Sequence, residues 1–261
     1  MMKFAIFVEG QTELITVREF LLREFNYVIS LECRTLFKSG ELKKTEYDFF
    51  NPETHVHCQI VNVGNDNAVL SRILSREKHI WSAGYEKIIG LRDMYSKAYR
   101  EKSCNIDPEV NQKFIEGAIE TVRNKSFCPE KIVICFAIME VEAWFLGMYH
   151  MFARLDDRLT CEYIKEQLSL DLEAVNPETE FFHPANQIEK IYRLAGKSYD
   201  KHKSDIEAIA SYLTVEDYTN LLTSDKCNSF NHFYATIAVE EQALTNENAV
   251  STSLNVRYSR H

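Results

Sequence analysis

Glycine and proline are scarce, 8 and 5 in 261 residues, which excludes a collagen-like or low-complexity polymer and points to an ordered, globular chain. The seven cysteines, Cys33, Cys58, Cys104, Cys128, Cys135, Cys161 and Cys227, form no CxxC pair and keep no regular spacing. Neither a disulfide framework nor a zinc knuckle fits, and they read as buried or incidental thiols of a reducing compartment. No stretch approaches the roughly 18 apolar residues of a membrane span. The apolar run at the amino terminus is too short, and too soon followed by Glu9, to be the core of a signal peptide. A cytoplasmic chain with no membrane partner is therefore expected. Positive charge is also in short supply: the formal net charge is −9, which argues against a generic nucleic-acid coat protein, whose affinity comes from Lys and Arg. A nuclease stays open, because a site that gathers carboxylates around divalent cations is itself acidic and the cation meets the substrate phosphate. No Walker A pattern is present, nor any internal repeat.

Hydrophobic residues make up 45% and aromatics 12%, enough for one large α/β domain or an α/β domain with a helical appendage. The chain is organised around Phe4 to Glu13. Phe4-Ala5-Ile6-Phe7-Val8 is an uncharged apolar run, the mark of a strand buried on both faces, and it stops at Glu9 and Gly10. Thr12 is the expected N-cap of a helix whose first turn holds Glu13. Leu14, Val17, Leu21, Leu22 and Phe25 then form a helical stripe. Val28 to Phe37 and His55 to Val63 read as strands, with a loop or short hairpin over Lys38 to Glu53. Asn65 to Ala83 is helical, Tyr85 to Leu91 a strand, Asp107 to Lys125 a helix with Pro108 in its first turn, and Lys131 to Met139 the strongest buried strand. This alternation implies parallel pairing with crossover helices and a crevice outside the strands' carboxyl ends. From Ala143 the texture turns helical: Ala143 to Leu155, Cys161 to Leu168, Ala185 to Leu194, His202 to Leu213 and Val215 to Leu222, with a loop over Asp171 to Pro184. The expected division is an α/β domain over 1–150, a mostly helical appendage over 151–240 and a polar tail over 241–261.

Three strands end on acids: Glu9, then Asp93 after Arg92, then Glu140 with Glu142. One such acid alone is ordinarily a cap or turn residue, but at the carboxyl edge of an open parallel sheet all of them converge. Oxygen ligands without His or Cys suit a hard cation such as Mg²⁺ or Mn²⁺, and several carboxylates could hold two ions about 4 Å apart, the clamp of an in-line phosphoryl displacement. His55 and His57 alternate on a strand, but with no third ligand in view a structural role is the stronger reading. His183 before Pro184 reads as a helix-entry residue. Lys97, Arg100 and Lys102, and again Lys197, Lys201, His202 and Lys203, are by default solvated faces; on the rim of an acidic site they would also suit a phosphate backbone. Trp144 reads as a core anchor below the site.

Val8-Glu9-Gly10-Gln11-Thr12-Glu13 resembles the VEGxTE motif that opens Toprim domains of the overcoming-lysogenization-defect (OLD) nuclease type. Leu91-Arg92-Asp93-Met94-Tyr95 stands where that group has its DxD strand end, and Met139-Glu140-Val141-Glu142-Ala143-Trp144-Phe145-Leu146 resembles the ExEAWLL segment of a Toprim-like bacterial family. His183-Pro184, Tyr199-Asp200-Lys201, Phe230 and Phe233 extend the similarity over nearly the whole chain. The resemblance implies a Toprim-like parallel sheet flanked by helices and a Mg²⁺- or Mn²⁺-dependent nuclease acting on DNA or RNA. It makes Glu9 the central acid, as metal ligand or general base, makes Glu13, Asp93, Glu140 and Glu142 further metal ligands, and casts Glu9, Asp93 and Glu140 as the catalytic acids. It further implies a role in phage defence beside an ABC-like ATPase; a homodimer is carried as a further expectation. One departure stands out: the second aspartate of DxD is replaced by Tyr95. Three consequences stay open, that Glu142 compensates, that one ion suffices, or that activity is lost. The rival is a non-catalytic Toprim-shaped module that binds a partner or a phosphate-bearing ligand. Primase-like nucleotidyl transfer is disfavoured because nothing resembles an initiating-nucleotide or zinc-binding module.

Overall fold

The structure, a computed structural model, describes residues 2–64 and 68–238. Its first half runs β1 (Met2–Val8), α1 (Gln11–Glu24), β2 (Ser30–Leu36), β3 (Leu42–Lys44), β4 (Val56–Asn62), α2 (Val69–Ser82), β5 (Lys87–Asp93), α3 (Lys97–Arg100), α4 (Pro108–Lys125) and β6 (Ile132–Ala137). Then follow α5 (Glu142–Gly147), α6 (His150–Leu155), α7 (Cys161–Leu168), α8 (Pro177–Glu180), α9 (Pro184–Leu194), α10 (Lys203–Tyr212) and α11 (Val215–Thr223), and residues 228–238 are helical. Among the described residues no strand follows β6. The fold is α/β, a mostly parallel sheet flanked by helices with a helical carboxy-terminal region. The start of the expected helix at Asn65, and the expected polar tail over 241–261, lie outside the described residues.

The sheet has six strands in the order β3-β2-β4-β1-β5-β6. All neighbours are parallel except β3, which pairs antiparallel with β2 as the expected hairpin. Strand β1 lies inside, and successive side chains take opposite faces. Phe4, Ile6 and Val8 join the core under α1, while Ala5 and Phe7 join the core under α2 and α4. That is why the run is apolar without alternation. The later helices close over the α1 face: the Phe20 ring lies 5.1 Å from Tyr218, 6.1 Å from Phe230 and 5.8 Å from Phe233, centroid to centroid.

Several boundaries differ from expectation. Thr12 is not the N-cap of α1; Gly10 is, because the Glu13 carboxylate reaches back to accept the Gly10 N–H at 2.7 Å. Strand β5 begins and ends two residues later than the expected Tyr85 to Leu91, since Asp93 still pairs with Ala137. The helix expected over Ala143 to Leu155 is broken at Gly147, where a Cβ would lie 2.8 Å from Leu221 Cδ1 and 3.0 Å from Cys227 Sγ. Close packing of α11 on this glycine separates α5 from α6. The Asp171 to Pro184 loop contains the short α8, started by Asn176, whose side chain accepts the Glu178 N–H.

Candidate metal centre

Parallel register brings the acids to one edge. Val8 pairs with Leu91 and Asp93 with Ala137, so the residues that follow β1, end β5 and follow β6 stand side by side. Beyond β6, Met139 adopts a left-handed φ of +61°, a conformation costly for a residue with a Cβ and stabilised only by its surroundings. Its carbonyl accepts the Tyr95 N–H at 2.8 Å and the Ala137 carbonyl accepts the Met94 N–H at 2.9 Å, tying the two strand exits together and turning Glu140 into the crevice.

One oxygen from each of Asp93, Glu140 and Glu142 lies within 4.8 Å of one from each of the others. Glu9 belongs to the same edge, its Oε2 accepting the Asp93 N–H at 3.2 Å. Asp93 Oδ1 in turn accepts the Val141 N–H at 3.2 Å. Glu13, buried in the first turn of α1, is close enough to feel the Glu142 charge. All five acids singled out in the sequence therefore share one neighbourhood, although Glu13 is engaged by the Gly10 N–H.

Burial first, and then the charges of Glu13, Glu142, Glu9 and Glu140, push the Asp93 carboxyl well above the usual carboxylate range. Burial, with the Glu142 charge behind it, raises Glu13 to about 7. Burial also raises Glu142, against the opposing pull of Lys201. Like charges held together at low dielectric disfavour ionisation unless a cation compensates.

Part of that compensation comes from a residue that the sequence placed on a basic rim. Lys201 Nζ lies 2.7 Å from Glu140 Oε1 and 3.0 Å from Glu142 Oε1. Burial opposes its charge, but the two carboxylates outweigh burial and raise its pKa. Lys201 has a left-handed φ of +57°, at the end of the loop between α9 and α10. Tyr199, two residues earlier, donates its hydroxyl to Glu142 Oε1 at 3.0 Å. One glutamate oxygen, Glu142 Oε2, is buried with no hydrogen-bond partner among the described residues. An orphaned buried carboxylate oxygen is costly, and with two other acid oxygens within reach it fits the donor set of a hard cation. Asp93, Glu140 and Glu142 thus form an acidic triad that could bind a metal ion.

The remaining candidates fall elsewhere. Tyr95, in the place of the second aspartate, packs its ring 5.0 Å from His183 and 5.5 Å from Phe182, so it offers no carboxylate. His183 is the N-cap residue of α9, as its place before Pro184 suggested. His57 lies 3.6 Å from Glu32 Oε2 and 3.3 Å from the Tyr85 hydroxyl; His55 is exposed and precedes β4 rather than lying within it. Lys203 pairs with Glu46 and lies 3.7 Å from Glu207. Arg100 stacks at 5.3 Å from the Tyr95 ring centroid, and Lys97 is an exposed partner of Glu101 at 3.9 Å. Trp144 is buried as expected, its Nε1 donating to Ser229 Oγ at 2.8 Å and Glu178 Oε1 at 3.2 Å.

Among the described residues no helix is long and apolar enough to cross a membrane. No protein-family model matches the chain, and no curated protein matches it. Among solved structures it is similar to the C-terminal region of the Xanthomonas campestris pv. campestris OLD protein, with 15% identity, 92% of this chain and 97% of that one covered, and a TM-score of 0.37. A likeness that distant bears no weight.

Proposed function

We propose that the chain is a Toprim-like, Mg²⁺- or Mn²⁺-dependent nuclease that hydrolyses phosphodiester bonds of DNA or RNA. The observation that carries the reading is the triad: three carboxylates from two strand exits within 4.8 Å, one of their oxygens buried without a partner. Asp93, Glu140 and Glu142 would hold the metal, with Glu9 and Glu13 beside them. When bound, the ion supplies Lewis-acid stabilisation of charge on the phosphoryl oxygens. Glu9, oriented by the Asp93 N–H, is placed to accept a proton as general base or to add an oxygen ligand. Tyr199 orients Glu142, and Lys201 holds Glu140 and Glu142 in their charged forms. In this division residues 1–150 carry the acids and the helical region 151–240 supplies Tyr199 and Lys201.

The test is metal-dependent cleavage of single- and double-stranded DNA and RNA. Wild type should cleave with Mg²⁺ or Mn²⁺ and not with EDTA, and Glu9→Ala should abolish cleavage with its circular dichroism spectrum kept. A wild type that binds Mn²⁺ but cleaves none of these substrates would reject the nuclease reading.

One observation favours the rival, a non-catalytic module of the same shape: Tyr95 is committed to aromatic packing, so the second metal ligand of a DxD pair has no substitute at that position. Under that reading Glu9→Ala leaves partner binding unchanged. The motif resemblance also leads us to propose a phage-defence effector working beside an ABC-like ATPase in the cytoplasm, tested by co-purification with the ATPase, and a homodimer, tested by sedimentation.

A further inference from the structure

The crevice acids occupy one face of the sheet edge, and a groove of opposite charge occupies the other. It has a volume of about 350 Å³ and is lined by Arg92, Lys102, Lys113, Phe114 and Gly117, among others. No carboxylate is among the described residues that line it. In a chain of net charge −9 two exposed lysines beside a concavity with no carboxylate in its described lining make a local reversal of potential, and such a reversal attracts and orients anions.

Its position relative to the triad follows from strand geometry. Arg92 and Asp93 are consecutive on β5, so they project to opposite faces. Asp93 faces the crevice, where it meets the Val141 N–H. The Arg92 guanidinium lies 5.3 Å from the Phe136 ring centroid, on the side where α2 and α4 pack. Lys113 projects from α4 and Lys102 from the turn after α3, both exposed; Lys113 Nζ lies 4.0 Å from the Glu109 carboxylate. Gly117 opens the wall, since nothing lies within 4 Å of where its Cβ would be. Half-buried Phe114 adds an aromatic surface of the kind on which a base stacks. The other basic cluster differs: Lys201 and Lys203 are spent on Glu140, Glu142 and Glu46.

We infer that this groove binds the backbone of an unpaired nucleic-acid strand next to the phosphodiester presented to the acids, with Lys102 and Lys113 on its phosphates and Phe114 against a base. The inference rests on the nuclease reading and adds the track by which a strand crosses the sheet edge. Phosphate contacts of this kind fix register and orientation rather than sequence.

The test compares the full-length wild type with Lys102→Gln/Lys113→Gln, two exposed changes that leave the triad untouched. Fluorescence anisotropy with a labelled single-stranded oligonucleotide in Ca²⁺ should show about tenfold weaker binding. The plot of log K against log salt should flatten by about 1.4, two lost contacts at about 0.7 each for a single strand. Mn²⁺ affinity by calorimetry should be unchanged. A double variant with wild-type affinity and salt slope, in a protein that still cleaves, overturns the groove and leaves the nuclease reading intact. A wild type that binds the oligonucleotide through these lysines but never cleaves supports the groove and removes the nuclease. A wild type that binds no oligonucleotide overturns the groove, and cleavage is then judged on its own assay.

Discussion

Glu142 and Glu178 are both buried glutamates of the helical layer, 1% and 4% exposed, and their neighbours differ in kind. Glu178 is surrounded by donors: the Ser229 hydroxyl and Trp144 Nε1 give to Oε1, and the Ser229 N–H gives to Oε2 at 3.2 Å. Glu77, with no exposed surface, is held in the same way by the Ser126 hydroxyl at 2.6 Å, the Phe127 N–H and Trp81 Nε1. Neither counts another carboxylate among these partners. Glu142 instead faces Asp93 and Glu140, shares one lysine, and leaves an oxygen unmatched. Glu178 and Glu77 are enclosed by donors, whereas Glu142 has two donors and two carboxylates around it. Under the proposed function that difference marks Glu142 as a metal ligand and Glu178 as part of the packing.

The largest effect should come from the donor-satisfied acid. Glu178→Ala strands the Ser229 and Trp144 donors and should cost about 3 kcal/mol in urea unfolding, whereas Glu142→Gln, which removes a repelled charge, should leave metal-free stability unchanged or raised. Equal losses at the two positions would erase the contrast. Next in size is ligand stabilisation: Mn²⁺ at a hundred times its Kd should raise stability by about 2.7 kcal/mol, seen as a rise in Tm. Asp93→Asn should abolish that rise while folding normally.

Titration should give a smaller effect of determinate sign. Burial raises the Glu13 pKa to about 7 in the folded state from its ordinary 4.5, so between those values the folded state holds a proton that the unfolded chain has released. For the metal-free protein this contribution to stability is fully present below about 4.5 and is lost as pH rises through about 7. Glu13→Gln, which keeps an acceptor for the Gly10 N–H, should flatten this slope in a series of urea titrations. A stability that rises with pH across this window would contradict the assignment.

The sequence disclosed one side of the contrast and hid the other. Apolar runs that end on an acid are local signals, so Glu9, Asp93, Glu140 and Glu142 were legible, and parallel alternation predicted their convergence. The partners were not. Ser229 reaches Glu178 from 51 residues away within the helical layer, and Lys201 reaches Glu140 from 61 across the join between sheet and helical layer; no periodicity records either contact. The Gly10 cap was missed because Thr12 has the better side chain for the role, while the decisive bond is made by Glu13 to a backbone N–H. The break at Gly147 was missed for a similar reason: only packing of Leu221 against that glycine reveals it.

Lys201 offers the finest test, because its charge serves the two states of the site in opposite ways. In the metal-free protein its ammonium offsets part of the repulsion around Glu140 and Glu142, so Lys201→Met should steepen the pH slope described for Glu13. Once a divalent cation shares the same carboxylates, that ammonium is a like charge a few ångströms away. It is a third exposed, 36%, so it can turn toward solvent and its repulsion is partly screened. Removing it should tighten Mn²⁺ binding by about fivefold, close to 1 kcal/mol, measured by calorimetry at fixed pH. Weaker binding in Lys201→Met would mean that the lysine positions the two carboxylates for the ion rather than standing in for it, and the site would then join Glu178 among the acids that need their donor.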